Sequence, residues 1–223
     1  MIDNFKFNNE NNRVRLVGTI VSCPEPYFKA NNFRFYIDAR IKPEEPNIVP
    51  VVCGPHFISN HSDDLIVGNR VAIFGKLNAT AYMKLDESGV EMKIFEEFVR
   101  ANEMICTDKE YSFPNVGIFK GKLVKQPQLY HFKNGRDLFQ GVLKLGDRHS
   151  VTIGVTFSEA QMKRLQNFEQ GDDLAIKFRL KTTKTVHQKT RIQPYLIFEK
   201  GDDLQKNPYF LDLDTNPPRH LDR

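Results

Sequence analysis

The sequence is short of the residues that cross-link small secreted domains or span membranes. Its 223 residues contain no tryptophan and three cysteines, at positions 23, 53 and 106, which are too far apart for a CxxC redox pair or a zinc knuckle. No apolar run approaches the roughly 18 residues that span a bilayer, and the amino terminus lacks the apolar stretch of a signal peptide. We therefore expect free thiols, a cytoplasmic location and no membrane partner.

Patterns of catalysis and cofactor binding are also missing. The six histidines form no HExxH or HxH pair, and no phosphate-binding glycine loop or nucleophile motif occurs. The paired carboxylates at 63–64, 172–173 and 202–203 each flank a glycine turn or a helix end, which is typical of solvated turns. The sequence predicts a protein that is not an enzyme and that has no cofactor and no metal site.

What the chain does have is an internal repeat. Identical residues recur 103 positions apart, among them Gly18 and Gly121, Tyr27 and Tyr130, Gly68 and Gly171, Leu77 and Leu180, and the runs Ile94-Phe95-Glu96 and Ile197-Phe198-Glu199. The repeat predicts two copies of one module, at 1–107 and 115–200, joined by a linker at 108–114 and followed by a tail at 201–223.

Each copy has the same order of predicted elements. Strands are indicated at 13–22, 32–41, 48–53, 70–77 and 91–101, and again at 116–124, 150–157, 172–180 and 191–199. A capping box at Ser158 to Gln161 begins a helix between the third and fourth strands. Five strands with a helix at that point is the order of an OB-fold. We predict an all-β protein of two tandem OB-fold five-stranded barrels with one short helix each; a generic β-sandwich is the alternative.

Charge is divided unevenly between the two copies. Residues 1–107 hold 12 Lys and Arg against 14 Asp and Glu, whereas residues 115–200 hold 16 against 7. The basic residues of the second copy follow its fourth strand and the loop to the fifth, and we call this set the basic track: Lys177, Arg179, Lys181, Lys184, Lys189 and Arg191. A clustered positive stripe is typical of a polyanion-binding surface. A solvated edge strand protected by lysines is the alternative.

Aromatic and basic residues also fall where an OB-fold forms its ligand groove, on the second strand and in the loops joining strands one to two and four to five. Unstacked bases need the face of an aromatic ring, and each such contact contributes roughly 1–3 kcal/mol. For any single phenylalanine, packing in the core is the alternative. The candidates are Tyr27, Arg34, Tyr36, Arg40, Phe74, Lys76, Tyr82 and Lys84 in the first copy and Tyr130, Phe132 and Arg136 in the second.

Two segments of the first copy resemble a known family. The chain reads Asn12-Arg-Val-Arg-Leu-Val-Gly18 in the first strand and Gly68-Asn-Arg-Val-Ala-Ile-Phe-Gly-Lys-Leu77 around the fourth. These segments resemble the N-x-V-x-L-x-G and G-x-x-V-x-V-x-G-x-L patterns of the bacterial and phage single-stranded-DNA-binding proteins. The resemblance places Tyr82 where that family has a base-stacking tryptophan, but puts Ile48 and Gly54 at two other stacking positions.

The resemblance implies a non-enzymatic, largely sequence-independent binder of single-stranded DNA that acts in replication, recombination or repair. Tandem barrels resemble the two-barrel members of the family, which dimerise, so it also implies a homodimer. The family's acidic tip, which recruits replication and recombination proteins, is replaced here by Asn-Pro-Pro-Arg-His-Leu-Asp-Arg. A protein-interaction accessory of a replication or recombination complex and a single-stranded RNA binder are the alternatives.

Overall fold

The computed structural model describes residues 12–27, 31–40, 44–85, 88–109, 115–131, 137–145, 151–157, 159–164, 169–183 and 189–198. Three predicted site residues lie outside these ranges: Phe132, Arg136 and Lys184. Most of the described chain is in strands. The elements are β1 (Asn12–Ile20), β2 (Glu25–Tyr27), β3 (Asn32–Asp38), β4 (Ile48–Cys53), α1 (Pro55–His61), β5 (Arg70–Leu85), β6 (Glu91–Cys106), β7 (Asn115–His131), β8 (Asp137–Leu145), β9 (Val151–Phe157), α2 (Glu159–Arg164), β10 (Asp173–Thr183) and β11 (Lys189–Phe198).

The strands close into two five-stranded rings. In the first barrel β1 pairs with β3 and β5, β5 with β6, β6 in parallel with β4, and β4 with β3. In the second barrel β7 pairs with β8 and β10, β10 with β11, β11 in parallel with β9, and β9 with β8. A short helix precedes the fourth strand of each ring. The predicted class, two tandem OB-fold barrels, is confirmed.

Strand alternation fills one continuous core. In β3 Phe35 and Ile37 are fully buried, and in β10 Leu174, Ile176 and Phe178 face the same core as predicted. Buried side chains of both barrels belong to a single hydrophobic cluster, so the cores of the two barrels are in contact. Neither described helix has the length and apolar character needed to cross a membrane.

The first strands of the two barrels pair with each other. β1 and β7 are antiparallel, with Val14 opposite Gly117, Arg15 opposite Val116 and Asn12 opposite Phe119. Val14 and Gly117 are also 103 residues apart, so a local two-fold axis passes through this pair and exchanges the two copies. The result is a joint sheet that runs from β6 through β5, β1, β7 and β10 to β11.

A pair of asparagines shows how closely the two copies match around this axis. The Asn12 side chain donates to the Leu77 carbonyl oxygen (2.8 Å) and accepts from its N–H (2.9 Å). The Asn115 side chain makes the same two bonds with Leu180, at 2.6 and 3.0 Å. Each side-chain amide therefore ties the first strand to the fourth, at positions separated by the predicted offset of 103.

The offset does not hold in the other strands. Asp38 pairs with Thr19 in the first barrel, and Lys144 pairs with Lys122, the repeat counterpart of Thr19, in the second, so the second strand is shifted by three residues relative to the repeat. Ala72 pairs with Ile105, but its counterpart Ala175 pairs with Phe198. The predicted match of Ile94-Phe95-Glu96 with Ile197-Phe198-Glu199 is therefore wrong. The cause is the β5–β6 hairpin, which is longer than the β10–β11 hairpin.

A hydrogen-bonded clasp also joins the barrels away from the axis. The Asn47 side chain donates to the Leu180 carbonyl oxygen (3.0 Å) and accepts from the Thr182 N–H (2.8 Å). The Thr182 hydroxyl donates to the Ile48 carbonyl oxygen (2.6 Å). Because Asn47 is buried and each partner is on the other barrel, these bonds fix how β4 and β10 lie against each other.

Candidate nucleic-acid interface

An arginine lies between two tyrosine rings on the hairpin formed by β2 and β3. The guanidinium carbon of Arg34 is 5.3 Å from the centroid of the Tyr27 ring and 5.3 Å from that of the Tyr36 ring. These distances are within the range of cation–π contact. Three of the predicted site residues are thus brought together, and we call them the Tyr-Arg-Tyr stack.

Two carboxylates hold the stack in place. Nη2 of Arg34 lies 2.7 Å from Oε1 of Glu25, and Nη1 lies 3.4 Å from Oε1 of Glu96. The Tyr27 hydroxyl donates to Oε2 of Glu96 at 3.0 Å. Partial burial by itself lowers the pKa of Arg34, but the hydrogen bond to Glu25 and the nearby charges raise the pKa above its ordinary value. The guanidinium is therefore a permanent, carboxylate-paired cation.

The stack rests on a small apolar cluster. Tyr27 is buried with Val52 and Phe98, and the edge of the Phe98 ring meets Tyr27 with the centroids 5.9 Å apart. Tyr36 is half-buried, and its backbone N–H donates to the Ser22 hydroxyl (3.0 Å). Tyr27 therefore supports the stack from below, whereas Tyr36 keeps part of its ring surface in solvent.

The site also contains Glu25, Glu96 and Phe98, which are not among the residues predicted from the sequence. A local signal existed for Glu25, because a two-stranded hairpin puts it directly opposite Arg34 and opposite charges are favoured there. Glu96 and Phe98 gave no such signal. They come from β6, more than 60 residues further along the chain, and only closure of the barrel brings them to the hairpin.

Arg40 forms an ion pair with Asp38, the last residue of β3. Its Nε donates to Oδ2 of Asp38 at 2.9 Å, and its Nη2 makes a second, shorter contact with the same oxygen. The other oxygen of Asp38 accepts from the Asn47 N–H (3.0 Å). Arg40 thus neutralises a buried carboxylate that also organises the approach to β4, and its side chain remains about half exposed.

Three predicted contact residues are buried: Tyr27 within the stack, and Phe74 and Lys177 elsewhere. Phe74 packs against Val17, Ala72 and Ile105, and Lys177 has no exposed surface. Lys177, which the sequence places in the basic track, is therefore not on the exposed surface. Alternation does place it opposite the barrel core, but that face of the joint sheet is buried as well, as its cross-strand neighbour Ile118 shows.

Four other residues of the basic track, Arg179, Lys181, Lys189 and Arg191, lie on β10 and β11. Arg179 is half-buried and Lys181 is exposed. The strand register puts Lys181 opposite Arg191 and Thr183 opposite Lys189, so the backbones of three basic residues converge at the open end of this hairpin. In the first barrel, Lys76 is half-buried, and in the β5–β6 hairpin Tyr82 lies opposite Ile94 and Lys84 opposite Met92. In the second barrel, Tyr130 of β7 lies opposite Leu138 of β8.

The second barrel does not repeat the stack. Gly141 occupies the position of Phe35 in the strand register, so Gln140 and Val142 correspond to Arg34 and Tyr36. Neither glutamine nor valine offers a cation or an aromatic face. The described part of the chain therefore carries one Tyr-Arg-Tyr stack, on the barrel with the acidic balance, and one basic hairpin, on the other barrel.

The three cysteines are free thiols. Burial raises the pKa of Cys53 to about 12, although the charge of Arg100 opposes the rise. Among the described residues, no three histidine, cysteine, aspartate or glutamate side chains come together as a metal site would require.

Comparison with known proteins identifies the fold. No protein-family model and no curated protein sequence matches the chain. A deletion mutant of the single-stranded DNA binding protein from Thermus aquaticus superposes with a TM-score of 0.65 at 20% identity, over 86% of this chain and 95% of that one. The wild-type Thermus protein gives 0.63 at 20% identity, over 85% and 92%. The similarity spans both barrels and shows a shared OB-fold architecture.

Proposed function

We propose that the protein binds single-stranded DNA with little sequence preference. The Tyr-Arg-Tyr stack carries this proposal, because it is a preorganised π-surface on the strands where OB-folds hold single strands. The Thermus proteins with the same architecture are named for single-stranded DNA binding, which supports the choice of ligand.

In this proposal the two barrels contact different parts of the DNA strand. Arg34 already faces two carboxylates, so in this proposal it orders the tyrosine rings and does not bind phosphate. The phosphate backbone instead meets the β10–β11 hairpin of the second barrel, where the strand register puts Lys181 opposite Arg191 and Arg179 lies two residues before Lys181. Stacking in the first barrel and charge neutralisation in the second together give affinity without reading base identity.

Fluorescence anisotropy of a labelled 35-mer tests the ligand class. The same sequence is compared as single-stranded DNA, RNA and duplex at about 50 and 300 mM salt, a span over which phosphate contacts lose affinity. Tight, salt-sensitive binding to the single DNA strand with weak binding to duplex is the expected result. Equal affinity for the RNA would make the protein a general single-strand binder, and no binding to any of the three would contradict the proposal.

The basic hairpin predicts how affinity depends on salt. For single strands the log–log slope is about −0.7 per phosphate neutralised, so Arg179→Glu with Lys181→Glu should flatten the slope by about 1.4. Lys109→Glu with Lys163→Glu changes the net charge equally at exposed sites on other elements and should leave the slope nearly unchanged. Equal slopes for the two variants would rule out the hairpin as the phosphate site.

A protein-interaction role is the second candidate, and the acidic balance of the first barrel favours it. Under that role, a replication or recombination protein would bind the first barrel and nucleic acid would contact only the second. Substitutions in the Tyr-Arg-Tyr stack would then leave DNA affinity unchanged. Homodimerisation, implied by the resemblance to two-barrel proteins, is checked separately by light scattering of the DNA-free protein.

A further inference from the structure

Two cations lie side by side on the outside of the first barrel, on strands next to the Tyr-Arg-Tyr stack. Lys76 of β5 stands directly opposite Arg100 of β6. The residues beside them, Leu77 and Val99, face the barrel core, so strand alternation turns both cations outward. Arg100 is exposed and Lys76 is half-buried. We call these two residues the Lys76–Arg100 pair.

The pair is continuous with the stack along β6. Glu96, Phe98 and Arg100 are alternate residues of that strand and share its outward side. Glu96 lies 3.4 Å from Arg34, and the Phe98 ring is 5.9 Å from the ring of Tyr27. Arg100 is the next outward side chain, about 7 Å further along the strand. The strand that holds the stack in place therefore also carries a cation beside it.

The strand register gives a second connection between the pair and the stack. Arg100 is opposite Val52 of β4, and Val52 is opposite Arg34 of β3. With Lys76, these residues form one row across four strands. Two strand spacings of about 4.8 Å, or roughly 10 Å, separate the backbones of Arg100 and Arg34. A single nucleic-acid strand laid along this row can contact both the stack and the pair.

The pair differs from Arg34 in its charged partners. Arg34 faces two carboxylates, whereas within the described part of the chain no carboxylate is ion-paired or hydrogen-bonded to Lys76 or Arg100. The next carboxylate along this side of β6 is Glu103, which stands opposite Phe74. Like charges directly opposite each other on a sheet are destabilising. An anion bound to both cations would remove this repulsion.

The second barrel has a cation at the equivalent place. The repeat offset of 103 relates Lys76 to Arg179, and the residues before them, Gly75 and Phe178, pair with equivalent positions of β1 and β7. Arg179 belongs to the hairpin that the proposed function assigns to phosphate. Its cross-strand partner is the uncharged Gln193. The first barrel therefore keeps the cation of the fourth strand and adds a second one opposite it.

We propose that the Lys76–Arg100 pair binds backbone phosphates of the single strand whose base stacks on Tyr36. This inference rests on the proposed single-stranded DNA binding, and it adds a phosphate site on the first barrel to that of the β10–β11 hairpin. A barrel with an acidic balance can then hold a polyanion, because its carboxylates occupy Arg34 and Arg40 and leave these two cations to the ligand.

The salt dependence of binding tests the pair. In anisotropy titrations of the labelled single-stranded 35-mer, Lys76→Gln with Arg100→Gln should flatten the log–log slope by about 1.4, for one phosphate per cation. Between about 50 and 300 mM salt, the affinity ratio of wild type to variant should then fall about 12-fold. Arg70→Gln with Lys109→Gln removes the same charge from exposed residues at the other end of these strands and should keep the wild-type slope. Equal slopes for the two variants would overturn the inference.

Chemical modification of arginine locates the contact directly. In the full-length protein treated with phenylglyoxal and read by mass spectrometry, Arg100 should lose its reactivity when the single-stranded 35-mer is added. Exposed Arg70 should keep its reactivity. An Arg100 that reacted equally with and without DNA would overturn the inference even if the salt slope had changed.

The same series separates failure of the pair from failure of the proposed function. Wild-type binding with an unchanged slope in Lys76→Gln/Arg100→Gln would overturn the pair alone, whereas absence of wild-type binding would overturn both. Thermal unfolding of the DNA-free variant is the check on folding. Removal of two opposed like charges should leave its midpoint at or above that of wild type. A lower midpoint would show that contacts within the protein hold these cations, and would count against a ligand site.

Discussion

At the scale of single residues, the role open to a charged side chain in this protein depends on its immediate neighbours. Arg34 and Lys181 are both cations on barrel strands, yet Arg34 faces Glu25 and Glu96 while Lys181 is exposed at the end of a basic hairpin. The first is suited to holding aromatic rings and the second to meeting phosphate. A count of basic residues does not distinguish these roles.

Tyr36 is the member of the stack that can receive a base. Tyr36→Ala should weaken single-stranded DNA binding by about 1–3 kcal/mol, or roughly 5- to 150-fold in Kd, with little change in the salt slope. Tyr36→Phe keeps the ring and should stay close to wild type. Anisotropy titrations at one salt concentration measure both variants, and an unaffected Tyr36→Ala would mean that bases stack elsewhere.

Glu96 should favour DNA binding although it is negatively charged. Glu96→Ala removes the group that holds both the Tyr27 hydroxyl and Arg34, so the stack loses its order and affinity should fall by about 0.5–1 kcal/mol. Glu91→Ala removes an exposed carboxylate from the same strand and should leave affinity unchanged or slightly raise it. If both variants bind more tightly, simple repulsion explains Glu96 and the positioning role is wrong.

At the scale of elements, close approach between strands decides which residues each position accepts. Gly18 lies where β1 crosses β3, and a Cβ there would come within 2.3 Å of the Asp38 carbonyl oxygen. Backbone cannot move away as a flexible side chain can. The glycine that the sequence pattern places inside the first strand is therefore required by packing against a neighbouring strand.

Gly18→Ala should accordingly destabilise the fold by about 2–4 kcal/mol, in the range of overpacking and backbone strain. Gly54→Ala is the matched control, because nothing lies within 4 Å of the added Cβ and the backbone there is extended. Urea denaturation followed by circular dichroism measures both. A Gly18→Ala variant as stable as the control would show that β1 and β3 separate more easily than the strand pairing implies.

The limits of sequence reasoning are clearest in the elements. Apolar alternation was enough to predict β3 and β10, a continuous apolar run predicted β4, and the repeated glycines marked equivalent positions in the two copies. Alternation did not predict that β5 continues to Leu85. Residues 78–85 form one arm of the β5–β6 hairpin, and apolar and polar residues do not alternate clearly along that arm. For Lys177 it gave the correct side of the strand but not the burial of that side, which depends on what covers the sheet.

At the scale of the whole molecule, the two barrels form one structural unit. β1 and β7 pair across the boundary between the barrels, and Asn47 of the first barrel is hydrogen-bonded to Thr182 of the second. Buried side chains of both barrels belong to one hydrophobic cluster. The domain boundaries, at 1–107 and 115–200 with a linker at 108–114, remain a prediction.

Thermal unfolding should therefore be a single transition, with a van't Hoff enthalpy equal to the calorimetric enthalpy. Asn12→Ala and Asn115→Ala remove equivalent hydrogen bonds from different barrels. Each leaves buried backbone groups unpaired, so each should lower stability by about 1–3 kcal/mol and shift the whole transition. Differential scanning calorimetry that resolved two peaks, or a shift of half the transition, would contradict this.

The two-fold axis through Val14 and Gly117 relates copies that share a chain, so equivalent positions need not carry the same side chain. In a symmetric dimer every substitution changes both subunits. In this chain the equivalent positions differ, with Arg34 and Tyr36 in the first barrel and Gln140 and Val142 in the second. A nucleic-acid strand has chemically different 5′ and 3′ ends. Under the proposed function, a surface with one aromatic half and one cationic half is no longer the same when turned end for end, so such a strand would bind with a preferred direction.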